Sequence, residues 1–284
     1  MCGTSHDALD IACVSFENKN GNWSYSLDAY HAVDLPQNLK LKLANATEST
    51  GLELVQLDRD FALYCAKEVN EFIATYNQKP SFLSSHGVTI FHNPTEKITT
   101  QIGSGAILSA HTNLPVVCDF RAQDVAKNGQ GAPLVPYADN LLFHDYEYTL
   151  NLGGFANLSF LSEGKMKGLD ISPCNLILNR LSMMKGLEFD FGGNIAKKGS
   201  VNNALLSKLN ALDYYNQNPP KSLGYEWFVS DFLPSFSNED PVEVQLATAA
   251  EHIAHQIAKS LGPNGKCLVT GGGAFNDHLI ERIR

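Results

Sequence analysis

The sequence has no basic block, no long apolar run and no paired-cysteine motif, and each absence removes a class of function. Its 284 residues hold 21 Lys and Arg against 30 Asp and Glu, a net charge of −9. An acidic chain without clustered Lys and Arg lacks the electrostatic footprint that phosphate-backbone binding needs, so no nucleic-acid partner is expected. No stretch approaches the ~18–20 consecutive apolar residues of a membrane span. The opening Met1-Cys2-Gly3-Thr4-Ser5-His6-Asp7 has neither the basic nor the apolar region of a secretory signal. A cytoplasmic location without a membrane partner is therefore expected. Six cysteines stand at 2, 13, 65, 118, 174 and 267 without a CxxC pair, and Cys2 near His6 has no second pair to complete a metal site. In company such as Ala12-Cys13-Val14, Val117-Cys118 and Cys267-Leu268-Val269 they read as reduced thiols used as small hydrophobes.

What remains is an ordinary globular composition, 44% hydrophobic and 18% charged. At roughly 100–200 residues per domain the length favours two domains. No repeat or low-complexity tract is visible. Ile11–Phe16 and Trp23–Ala29 read as strands around a turn at Gly21. Leu52–Tyr76 reads as a helix, with Leu54, Leu57, Phe61, Tyr64, Cys65, Val69, Phe72 and Ile73 on one face. Tyr148–Leu152 and Cys267–Thr270 are short strand-like runs, and Leu114–Cys118 is another that ends at Asp119. Ala204–Leu212 and Val242–Leu261 have helical phase, with His252 and His255 expected on a solvated edge of the latter. Strands alternating with helices indicate an α/β class.

Three glycine turns punctuate these elements: Gly3-Thr4-Ser5, Gly153-Gly154 and Gly271-Gly272-Gly273. Glycine turns at strand ends let backbone N–H groups approach a phosphate, so three of them suggest a nucleotide held between two related halves; each alone is equally a tight turn. Asp119 closes an apolar run, where a carboxylate is placed to act as a general base or to cap the next turn. Arg121 is its ion-pair partner or a phosphate contact. Asn128-Gly129-Gln130-Gly131-Ala132-Pro133 forms a glycine- and proline-fixed loop, costly to order without a site to justify it. His86 and His92 read as structural hydrogen-bonders or catalysts. Asp170, ahead of a helix, reads as a cap.

In order along the chain, several blocks resemble the 1,6-anhydro-N-acetylmuramic acid kinases: Gly3-Thr4-Ser5-His6-Asp7-Ala8-Leu9-Asp10, Ser85-His86-Gly87-x-Thr89-x-Phe91-His92-x-Pro94, Gln101-Ile102-Gly103 and Asp119-Phe120-Arg121-x-x-Asp124. They continue with Gly129–Pro136, Asn151-Leu152-Gly153-Gly154-x-Ala156-Asn157-Leu158, Pro220-Lys221-Ser222-x-Gly224-x-Glu226 and Gly271-Gly272-Gly273-Ala274-x-Asn276. The resemblance implies an actin-like (ribonuclease H-like) sugar-kinase ATPase fold of two α/β domains, 1–147 and 148–284, with ATP and sugar in the cleft between them. It implies a kinase that opens the 1,6-anhydro ring and phosphorylates O6 in peptidoglycan recycling, with Asp119 as the base. By the same resemblance Gly3, Thr4, Ser5, His6, Asp7, Ala8, Leu9, Asp10, Gly153, Gly154, Gly271, Gly272, Gly273 and Asn276 would hold ATP. His86, Arg121, Gln130, Gly131, Asp170 and Asn175 would hold the sugar, and Asp7, Asp10 and Asp170 are the candidates for the shell of Mg²⁺. A homodimer is compatible with it.

The chain departs from the family pattern at four places. Ala8 replaces a glycine, Asn128 another, and Tyr225 an arginine. The family's D-T-G-P-G-N turn is Asp170-Ile171-Ser172-Pro173-Cys174-Asn175, where Ser172 and Cys174 would be strained if the glycines they replace have positive φ. The family also has a longer first strand and continues beyond the triple-glycine turn with a strand and a helix. These differences set the alternatives: a weakly stable fragment or trimmed chain, an inactive sugar- or nucleotide-binding paralogue, or another ATPase or sugar kinase of the fold.

Overall fold

A computed structural model describes Cys2 and residues 8–219, 221–237, 239–262 and 265–284. The chain divides into two compact units, Met1–Gly131 and Ala132–Arg284, against an expected boundary between 147 and 148. Each unit mixes strands and helices, as the alternation in the sequence predicts.

The first unit opens with a long hairpin of β1 (Ala8–Lys19) and β2 (Asn22–Asp34). Asn20 and Gly21 both take positive φ (55° and 91°) in its two-residue turn, a conformation that matches strand twist and that Asn and Gly tolerate. The hairpin runs several residues beyond the strands expected from the sequence, at its inner end as well as towards the turn, and its outer half leaves Phe16, Tyr25 and Leu27 exposed. After α1 (Gln37–Ala44) comes α2 (Gly51–Thr75), started by a capping box between Thr50 and Glu53. Its face of Leu57, Phe61, Cys65, Val69 and Phe72 is buried against Leu9, Ile11, Val88, Ile90 and Ile102. β3 (Leu83–Ser84) pairs in parallel with β6 (Val116–Val117), and β4 (Val88–Asn93) pairs antiparallel with β5 (Ile98–Ile102). α3 (Gly105–Thr112) packs on α2 and β6, and α4 (Phe120–Ala126) packs on β5.

In the second unit, α5 (Pro136–Leu142) leads to a four-stranded sheet in the order β10-β7-β8-β9. β7 (Tyr148–Leu152), β8 (Phe155–Ser162) and β9 (Lys165–Pro173) form an antiparallel meander, and β10 (Cys267–Thr270) joins parallel to β7. Leu150, Leu152, Ala156, Leu158, Leu169 and Ile171 are buried in a core with Ile177 and Leu181 of α6 (Asn175–Met183) and Leu246, Ile253 and Ile257 of α9 (Val242–Ser260). α5 packs on β8 and β9. α7 (Asn203–Asn210), the short α8 (Tyr225–Trp227) and α10 (Asp277–Ile283) complete the unit.

Two expectations are corrected. His252 is not on a solvated edge but wholly buried, because α9 is covered on its polar stripe as well as its apolar one. Its Nδ1 donates to Asn210 Oδ1 at 2.7 Å, its Nε2 accepts from the Tyr215 hydroxyl at 2.8 Å, and burial pushes its pKa down to about 3. All six thiols are free, but only Cys2, Cys65 and Cys174 are buried, and Cys118 is exposed between β6 and α4.

Candidate active site

Asp119 joins β6 to α4 in the left-handed region, at φ 61° and ψ 43°. A non-glycine residue held there is strained by about 1–3 kcal/mol, a cost tolerated when the surrounding structure over-determines the turn. Asp119 occupies the N-cap position of α4, yet its side chain makes no cap hydrogen bond. The capping reading is therefore not realised, and the exposed carboxylate is available to a ligand.

Two residues further along α4, Arg121 draws three distant segments together. Its Nε donates to His86 Nε2 at 3.0 Å, and its Nη1 donates to the Gly131 carbonyl at 2.5 Å. His86 Nδ1 faces the Gly87 carbonyl at 3.1 Å. With Nε2 accepting, the imidazole is neutral and carries its proton on Nδ1. Burial and the guanidinium both push its pKa down, so it stays neutral at neutral pH. Asp124 holds the loop that follows: its Oδ2 accepts from Gly131 N at 2.6 Å, and its carboxylate fills the space where a Cβ on Gly129 would go. Asn128 takes positive φ (68°), as its place in the loop requires. The half-buried Gln130 lies between these two glycines. Arg121 thus joins His86 to Gly131 in the first unit, with Asp119 two residues before it in the chain and Gln130 next to Gly131.

The second unit gathers another set. Gly153 and Gly154 join β7 to β8, and their carbonyls accept from Asn175 N (3.0 Å) and Cys174 N (2.8 Å) at the start of α6. Asn175 Nδ2 donates to the Leu152 carbonyl at 2.9 Å. Gly271 has φ 81°, and a Cβ there would stand 2.5 Å from Asn151 Oδ1. A Cβ on Gly273 would stand 2.6 Å from Leu152 Cβ, whereas Gly272 is open, with only Asn175 Nδ2 at 3.6 Å. Asn276 caps α10 by accepting from Leu279 N at 3.0 Å. Asn175 thus lies against Leu152 and the glycine turn at 271–273, beside residues that are candidates for ATP.

Asp170 lies inside β9, and Cys174 is the N-cap of α6, so Asp170 caps nothing. Its buried carboxylate accepts from Leu223 N at 2.9 Å, its N–H donates to the Lys221 carbonyl, and its own carbonyl accepts from the Tyr214 hydroxyl at 2.5 Å. It fastens the Lys221–Leu223 segment to the sheet. Neither Ser172 nor Cys174 has positive φ, so the 170–175 turn is formed without the feared left-handed strain. In β1, Asp10 accepts from the Tyr30 hydroxyl at 2.7 Å, Leu9 is buried in the core and Ala8 is half-buried. Gly3, Thr4, Ser5, His6 and Asp7 lie outside the described residues. Among the described residues no three His, Cys, Asp or Glu side chains form a metal site.

Sequence reasoning missed Asn151, against which Gly271 and Gly153 close, and the pair Gly192-Gly193, whose positive-φ turn abuts Asn276 and His278. The signal was present as Phe191-Gly192-Gly193-Asn194, a glycine pair like 153–154. The buried Asp190 beneath it accepts from Ile195 N and Ala196 N at 2.8 and 2.9 Å.

The family model described as anhydro-N-acetylmuramic acid kinase matches residues 1–284. The anhydro-N-acetylmuramic acid kinase of Vibrio cholerae is 35% identical, over 100% of this chain and 81% of the relative. Those of Pseudomonas paraeruginosa and Bacillus cereus are 33% and 31% identical, over all of this chain and 81% and 82% of theirs. Among solved structures, the ADPNP-bound activator of 2-hydroxyisocaproyl-CoA dehydratase from Clostridium difficile is similar at a TM-score of 0.43 and 10% identity, over 99% of this chain and 82% of that one.

Proposed function

From the premise that the chain belongs to the anhydro-N-acetylmuramic acid kinase family, we propose that it uses ATP to open the 1,6-anhydro ring of anhydro-N-acetylmuramic acid and phosphorylate O6. Membership brings with it the actin-like sugar-kinase fold, and the sugar and ATP are its small-molecule partners in the cytoplasm. In this reading the carboxylate of Asp119 takes a proton from the water that attacks C1. The C1–O6 bond breaks, and O6 takes the γ-phosphoryl group as ADP leaves. The product is N-acetylmuramic acid 6-phosphate. Because phosphoryl transfer asks the protein mainly for positioning and charge stabilisation, most of the work falls to groups that hold the two substrates.

The observation that carries this reading is the backbone of Asp119: a strained left-handed residue whose carboxylate is exposed and makes no cap hydrogen bond. Arg121, Gln130 and Gly131 stand beside it to hold the sugar. The open face of Gly272, between the tightly packed Gly271 and Gly273, suits close approach by the nucleotide. Asn175 and Asn151 offer polar side chains at that turn. Mg²⁺ enters with ATP as part of the substrate. Asp10 and Asp170, whose carboxylates accept from the Tyr30 hydroxyl and Leu223 N, are the described candidates for its water shell.

Incubation with 1,6-anhydro-N-acetylmuramic acid and MgATP, read by mass spectrometry, tests the proposal. The expected product is the sugar gaining one water and one phosphoryl group, formed by wild type and absent with Asp119→Asn. Product from both would remove Asp119 as the base. A folded wild type that forms none would return the inactive-paralogue reading.

A further inference from the structure

The β4–β5 hairpin has two faces of different character. Val88, Ile90 and Ile102 are buried in the core. The opposite face is polar, and the cross-strand pairs Thr89↔Gln101 and His92↔Thr99 bring its four side chains together. All four are half-buried, unlike the polar face of an ordinary surface hairpin. They are joined by hydrogen bonds: Gln101 Nε2 donates to Thr99 Oγ1 at 2.9 Å and to Thr89 Oγ1 at 3.4 Å, and His92 Nδ1 lies 3.0 Å from Thr99 Oγ1. These contacts fix the carboxamide of Gln101 in one orientation. Its Oε1 is buried and has no hydrogen-bond partner.

A buried acceptor left without a partner keeps the cost of its lost hydration, so it calls for a reason. Its position supplies one. Gly87, next to His86, presses on the Ile102 carbonyl, one residue from Gln101. α4, which starts at Asp119 and carries Arg121, packs on β5. The polar face therefore belongs to the same end of the first unit as the candidate base and the His86–Arg121 pair.

We propose that Gln101 is a specificity-determining residue for the sugar, its braced Oε1 accepting a hydrogen bond from the acetamido N–H of the substrate. The inference rests on the kinase reading above. A carboxamide oxygen only accepts, and an amide N–H only donates, so the two are complementary in a way that a freely rotating hydroxyl is not. The oxygen is already desolvated and unpaired in the free chain, so a ligand that brings the donor gains most of the bond and one that lacks it is rejected.

Calorimetric binding of 1,6-anhydro-N-acetylmuramic acid without nucleotide, on wild type and Gln101→Leu, tests this directly. The expected result is at least about tenfold weaker sugar binding in the variant, with ATP binding unchanged and the melting temperature within a few degrees of wild type, since the loss of the two Nε2 bonds is offset by removal of the unpartnered Oε1. Thr99→Val, which removes the brace but not the acceptor, should show a smaller loss. On 1,6-anhydroglucose, which lacks the acetamido group, Gln101→Leu should bind as wild type does. Unchanged affinity for the acetamido sugar overturns the assignment, as does an equal loss on both sugars. A fall in melting temperature with equal loss of sugar and ATP makes Gln101 a structural brace and overturns it too. Wild type that binds no anhydro-sugar at all refutes the kinase reading itself, which separates that failure from this one.

Discussion

At the scale of single residues, the turn at Asp119 separates chemistry from folding. Asn tolerates the left-handed region nearly as well as Asp, so Asp119→Asn should leave the melting temperature within a degree or two while abolishing turnover. Gly, which adopts φ 61° without strain, should raise stability by about 1 kcal/mol in urea titration and be equally inactive. A variant that loses stability as well as activity would mean the carboxylate holds the turn together. Arg121→Lys makes the complementary case. Lysine cannot reproduce the fork that reaches both His86 and Gly131, so the KM for the sugar should rise about tenfold with the KM for ATP unchanged. The sequence made Asp119 legible because an apolar run ends on it. It could not show that the carboxylate escapes capping, since that depends on a φ angle. Nor could it show that Arg121 meets a histidine 35 residues earlier, because that contact exists only once α4 lies on β5.

At the scale of elements, legibility follows how many sides of an element are covered. α2 has one buried face, so its period was plain and its observed ends fall within one residue of those expected. α9 is buried on two, and its second stripe is the polar series Gln245, Thr248, His252 and Gln256, which in sequence looks like a wet edge. That stripe has a thermodynamic signature. His252 is neutral when folded, with its pKa near 3, and takes a proton only on unfolding near its ordinary value of about 6.5. Below that value the unfolded state binds one more proton than the folded state. Stability should therefore fall as pH drops from about 6.5 towards 3, by about 1.4 kcal/mol per pH unit from this group. Urea titrations at pH 7, 5.5 and 4.5 check it: His252→Gln should start lower by about 1–3 kcal/mol at pH 7, having lost a buried hydrogen bond, and then decline less steeply. Parallel declines in the two proteins would show that His252 is protonated in the fold.

At the scale of the whole molecule, two groups of candidates fall in different units. His86, Gln101, Asp119, Arg121, Gln130 and Gly131 lie in the first, and the glycine turns at 153–154 and 271–273, with Asn151, Asn175 and Asn276, lie in the second. The sequence announced the glycine turns by composition. It did not announce that Asn175 lies against the 271–273 turn, or that Asp170 serves the Lys221–Leu223 segment, because both depend on strand register in the meander. Each unit has its own hydrophobic core, so ligand stabilisation should appear first where the ligand binds. A ligand at a hundred times its Kd adds about 2.7 kcal/mol to the states that bind it, enough to slow amide exchange of local openings about a hundredfold. Hydrogen exchange with ATP alone should therefore protect residues 150–158, 172–178 and 270–279, and with the anhydro-sugar alone residues 86–103 and 117–131. Protection of the first unit by ATP is expected only near the residues that precede β1. If both ligands protected the same segments, the two substrates would not be held by separate groups of residues, and the assignment of Asp119, Arg121 and Gln101 to the sugar would have to be given up together.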